Sequence, residues 1–156
     1  GLSISHIEKN ALVLGLRSPL WHNHFGSPKF GSKFSLTQGE AILVHVKEPF
    51  SLQPNFTIET LDLKGNGIRS IEYIPALLGG GYLISAGPVE KDSSAFALWW
   101  YQAGKKPIEL RIPEFTQLCR PESITYDAKN RHLYIMSEHS GEACSKQKFS
   151  FIELSY

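Results

Sequence analysis

The stretch RPESITYDAKNRHLYIMSEHSG, residues 120–141, holds a pattern that the chain repeats. A turn residue opens it, a strand follows from Glu122 to Tyr126, and the polar run Asp127-Ala128-Lys129-Asn130 reverses the chain. A second strand, His132 to Ser137, then leads into a Gly-containing loop. GIRSIEYIPALLGGGYLISAGP at 67–88 and GLSISHIEKNALVLGLRSP at 1–19 follow the same order. Each hairpin is followed by a loop and further strand-like runs: AILVHV (41–46) and FTIETLDL (56–63) after the first, FALWWYQ (96–102) and IELRI (108–112) after the second. The third is followed by a single run, FSFIEL (149–154).

No window places apolar residues at helical spacing between caps, whereas IELRI alternates apolar with charged residues as a half-buried outer strand does. The expected fold is therefore all-β: a β-propeller-like array of four-stranded antiparallel blades, about three present, the last incomplete. The blades would span 1–63, 67–113 and 120–156, in a single domain or part of a larger propeller. An immunoglobulin-like sandwich also needs about seven short strands, but it gives no reason for three copies of one hairpin.

With 156 residues, 42% hydrophobic and 20% charged, the chain can bury one ordinary core. Its formal net charge of +1 comes from interspersed Lys, Arg, Asp and Glu, without the basic run that a row of phosphates attracts. Nucleic acid is thus not an expected partner. Nor does any apolar run approach the roughly 20 residues of a membrane-spanning helix. Cys119 and Cys144 flank the third hairpin, where they would form either a disulfide or two free thiols. Asn55-Phe56-Thr57 is a glycosylation sequon in a eukaryotic secretory setting.

In such an array, loops between blades and loops between second and third strands share one face. Arg17, Arg69, Arg120, Glu122, Glu138 and His139 fall on it, with the long loop 18–39. That loop exceeds the length of a plain connection, and Trp21, Phe25, Phe30 and Phe34 predict that it folds over the mouth and buries at least one ring. Three arginines could clamp a carboxylate or phosphate with paired hydrogen bonds. Glu122, Glu138 and Glu142 could hold a divalent cation such as calcium or serve an acid/base step; alternatively, Glu122 pairs with Arg120, Arg69 or Arg17. His22 and His24 have an H-x-H spacing that suits zinc or copper on a strand, or form a packed pair in a loop. His139 beside Glu138 is a candidate general base. Trp99 and Trp100 alternate, which points to packing between adjacent blades; a surface aromatic platform is the other reading.

GLRSP at 15–19, GIRSI with LISAGP within 67–88, and RPESI with the following SEHSG resemble a bacterial propeller-like family of unknown function. Its motifs run approximately EGL, GxRGP, GIR, AGP, RPEG and DDG, and it is more distantly similar to phytase-like and SdiA-regulated propellers. Ser18 and Ser123 stand where that pattern has glycine, and Glu138-His139 where it has paired aspartates. The resemblance implies a propeller with more blades than this chain supplies and leans toward an extracytoplasmic bacterial setting. The expected function is a propeller-type binding protein that uses one loop face for a small anionic ligand or a protein partner. The alternative is a metal-dependent hydrolase of a phosphoester or lactone. Open arrays bare their end faces and strand edges, and Phe149, Phe151, Ile152 and Leu154 leave the last strand without a polar cap. A second copy or a missing segment of the same propeller is the expected partner.

Overall fold

The runs that become strands are dense in Val, Ile, Leu, Tyr and Trp and are bounded by Gly, Pro, Asn or Asp, the composition that suits a pleated, half-buried surface. The computed structural model describes residues 1–5, 10–21, 39–89, 96–138, 144 and 151–155. Eleven strands form among them: β1 (Leu2–Ile4), β2 (Ala11–Gly15), β3 (Ala41–Lys47), β4 (Asn55–Leu61), β5 (Gly67–Ile74), β6 (Gly81–Gly87), β7 (Ala97–Tyr101), β8 (Ile108–Leu110), β9 (Pro121–Asp127), β10 (His132–Ser137) and β11 (Phe151–Ser155). They pair as three antiparallel sheets in the orders β1-β2-β3-β4, β5-β6-β7-β8 and β9-β10-β11. The fold is all-β, with the expected division into four, four and three strands.

One element departs from the expectation that the chain holds no helix. A 3-10 helix spans Pro113–Gln117, started by a proline in its first turn and anchored by the buried Phe115. It connects β8 to β9, too short to carry the apolar periodicity that would reveal it in the sequence.

The second sheet is covered on both sides, and β6 is buried along its whole length. Toward the first sheet, Ile71, Tyr82, Ile84, Trp99 and Tyr101 pack with Val13, Leu43, Leu61 and Leu63. Toward the third, Ile74, Leu83, Leu98 and Trp100 pack with Phe115, Ile124, Leu133, Ile135 and Ile152. Trp99 and Trp100 thus serve opposite cores, as their alternation predicts, and neither forms a surface platform.

Serine hydroxyls join the first strands of neighbouring sheets. Tyr73 N donates to Ser3 Oγ (3.3 Å) and Ile124 N to Ser70 Oγ (3.0 Å), so β5 lies between β1 and β9. Ser85 Oγ donates to the Pro121 carbonyl (2.8 Å). The backbone beside Gly1 faces Ser70 and Ile71 while Ser3 faces Tyr73, so β1 and β5 run in the same direction. Cys119 and Cys144 form a disulfide, with Cα atoms 5.6 Å apart.

The last strand is better capped than its composition suggests. Ile152 is buried in the second core and Leu154 packs partly against it, which leaves Phe151, Glu153 and Ser155 to point outward. Phe149 lies outside the described residues.

Candidate functional site

Two glycines determine how the arginine cluster is assembled. A Cβ on Gly67 would sit 1.8 Å from the Arg17 carbonyl oxygen, so only glycine lets the start of β5 pass the end of β2 so closely. Ile68 N donates to the Leu16 carbonyl at 3.0 Å and secures the same approach. On Gly87 a Cβ would come within 2.4 Å of the Phe96 ring, which therefore packs directly against bare backbone. The Arg69 guanidinium rests over that ring, 5.3 Å from its centroid.

Arg69 is the fixed centre of the cluster. Its side chain is only 5% exposed; Nη1 donates to Glu122 Oε1 at 2.6 Å and Nη2 donates to the Pro88 carbonyl. Of the three pairings open to Glu122, the structure forms the one with Arg69. Burial holds the Arg69 pKa below its ordinary value; Glu122 opposes the shift, and the like charges of Arg17 and Arg120 add to it. Arg17 is exposed and reaches the Val89 carbonyl with Nη2 at 3.5 Å. Arg120 has a positive φ of 53°, and its carbonyl accepts from Glu138 N at 3.0 Å, which brings the loop after β10 back to the start of β9. Arg17, Arg69, Arg120, Glu122 and the backbone of Glu138 therefore lie at one end of the sheets.

Loop 18–39 leaves and returns at a single point. Trp21 and Glu40 exchange both backbone hydrogen bonds at 2.8 Å, and Trp21 is buried with 6% exposure. One aromatic residue of the loop is thus buried. His22, His24, Phe25, Phe30, Phe34, His139 and Glu142 lie outside the described residues, as does the course of the loop over the mouth. Among the described residues no three His, Cys, Asp or Glu side chains converge as a metal-binding set.

A second polar cluster escaped the sequence reading. His45 Nε2 and Glu59 Oε2 are 3.0 Å apart, and the Tyr101 hydroxyl donates to the other Glu59 oxygen. Burial, and after it Glu59, raises the Tyr101 pKa above the usual phenol range. The cluster borders a cleft of about 630 Å³, where Glu40, Glu59 and Asp62 face Lys64, Lys105 and Lys106. The only sequence signal was a polar residue at inward-facing positions of both β3 and β4. Its chemistry is that of a tie between the first and second sheets, since each member satisfies another.

Among the described residues no helix is long and apolar enough to cross a membrane. No family model, curated protein or solved structure matches the chain. The functional reading therefore rests on the residues themselves.

Proposed function

We propose that the three sheets are consecutive blades of a propeller-like array, and that its arginine-bearing end binds a small anionic ligand. The blade reading is supported by the strand order within each sheet and by the first strands β1, β5 and β9 lying side by side. The binding reading is carried by one observation: Arg17 and Arg69 reach the adjacent Val89 and Pro88 carbonyls, Arg120 lies two residues before Glu122, and Glu122 is the carboxylate paired with Arg69. Arg69 and Glu122 form the floor, and Arg17 and Arg120 supply the guanidinium forks for a carboxylate or phosphate. Glu138 and His139 flank this end in sequence and complete the proposed set, with Trp21, His22, His24 and Phe25 from the neighbouring loop.

Titration calorimetry with inorganic phosphate, pyrophosphate and di- and tricarboxylates tests the reading. At least one of these anions should bind in a salt-dependent manner. Arg17→Ala and Arg120→Ala should each weaken binding about tenfold or more, as hydrogen bonds to charged groups contribute about 1.5–3 kcal/mol. Unchanged affinity in both variants would remove the cluster from consideration. A chelator-sensitive phosphoesterase or lactonase activity lost in Glu122→Gln would instead favour the metal-dependent hydrolase.

A further inference from the structure

On the outward face of the first sheet Ile42 is buried, but the two rows beyond it are covered by no described residue of the other sheets, and their composition is unlike that of an ordinary surface. Strand register aligns Leu2, Leu14, Val44 and Ile58 in one row, and Ile4, Leu12, Val46 and Phe56 in the next. Directly opposed residues of an antiparallel sheet share a face, so these eight side chains form one apolar surface across four strands without a charge. Leu2, Ile4, Phe56 and Ile58 are 59%, 64%, 65% and 45% exposed. The four central residues are half-buried.

The outward face of the third sheet is different. Its rows are Thr125, Tyr134 and Glu153; Asp127, His132 and Ser155; and Ser123, Met136 and Phe151. His132 Nδ1 lies 2.5 Å from Glu153 Oε1, and Asp127 Oδ1 accepts from the amides of its own turn at 2.9 and 3.1 Å. Ring closure by two copies would press the first sheet of each against the third sheet of the other, burying two carboxylates against leucine and isoleucine. Desolvating those charges without new partners opposes that contact.

We infer that the covering surface is the same face of a second copy, related by a twofold axis through the first sheet. An isologous contact sets apolar rows against apolar rows and buries no charge. Sheet-on-sheet packing of this kind is the ordinary way two apolar sheet faces meet. The eight side chains expose roughly 600 Å² per copy, so full apposition removes at most about 1,200 Å², against the roughly 1,000 Å² that a specific interface needs. A patch of that size lies at the upper end of the roughly 300–600 Å² that the largest patch of a monomer spans.

Sedimentation velocity on the full chain over about 1–100 µM, the range in which a modest interface dissociates, is the test. A dimer is expected. Ile4→Lys combined with Ile58→Lys should weaken dimerisation more than a hundredfold while far-UV circular dichroism stays unchanged. Thr125→Lys, on the third sheet, should leave the dimer intact. A wild-type monomer, open-ended oligomers, a persistent dimer in the double variant, or dissociation by Thr125→Lys would each overturn the inference. Should the double variant unfold, Leu14→Cys alone decides: a short bis-maleimide should link it to its twin, and a purely monomeric product would refute the twofold contact.

Discussion

Arg69 contributes to both the fold and the site, because the side chain that orders the anion-binding end is also a buried cation with one carboxylate partner. Arg69→Ala leaves Glu122 half-buried without its counter-ion and removes the cover from Phe96. The expected loss is about 2 kcal/mol, below that of a fully buried pair because water still reaches Glu122; urea denaturation measures it. Glu72, on β5, makes the opposite prediction. Burial raises its pKa above the ordinary 4.5. Its contribution to stability is thus fully present below the unfolded pKa and is lost as pH rises through the higher folded one. At pH 7 the ionised, half-buried carboxylate opposes folding. Glu72→Gln should therefore raise Tm at pH 7, with the gain shrinking toward pH 4. A lower Tm at pH 7 would show that the carboxylate is stabilised by a contact other than solvent.

Among the elements, the third sheet depends most on a covalent tie. The disulfide joins the segment before β9 to the β10–β11 connection across 25 residues of chain. Closing a loop of that length restricts the unfolded ensemble, and a contribution of about 3 kcal/mol is expected. Cys119→Ser with Cys144→Ser should lose about that much in urea denaturation, and dithiothreitol should reproduce the loss in the wild type but not in the double variant. The first and second sheets have no such link. Their ties are non-covalent: the His45–Glu59–Tyr101 cluster, the hydrogen bonds from Tyr73 N to Ser3 Oγ and from Ile68 N to the Leu16 carbonyl, and the apolar packing of Val13, Leu43 and Leu61.

For the whole molecule, stability should be graded by how many faces of a sheet are covered. The second sheet is packed on both faces, and β6 is buried throughout. Its amides should exchange with deuterium only through global unfolding, whereas those of β4, whose first four residues are exposed, should exchange through local opening. Mass spectrometry of peptides from β4 and β6 reads this directly. Equal protection of the two would contradict the central placement of the second sheet. Dimerisation through the outward face of the first sheet predicts that protection of β2 and β3 increases with protein concentration.

Strand identity was legible because it is a local property. The alternation of Ile108 and Leu110 with Glu109, the turn residues around 127–130, and the copied hairpins each lie within a few residues. They were enough to anticipate eleven strands, the division into three sheets, and the opposite orientations of Trp99 and Trp100. The gathering of Arg17, Arg69 and Arg120 was expected from that repeat, since the start of a hairpin's first strand and the end of its second lie at the same end of the sheet. Three features were not legible: which arginine Glu122 would take, whether the cysteines would join, and that His45, Glu59 and Tyr101 would meet. Each depends on side chains separated by 14 to 53 residues coming within a few ångströms. The stacking and twist of whole sheets decide such approaches. The two end faces make the same point: a period of two tells which residues share a face, but not which face another sheet will cover. That outcome depends on apolar area removed from water across the entire assembly, a sum over distant residues that no short stretch of sequence contains.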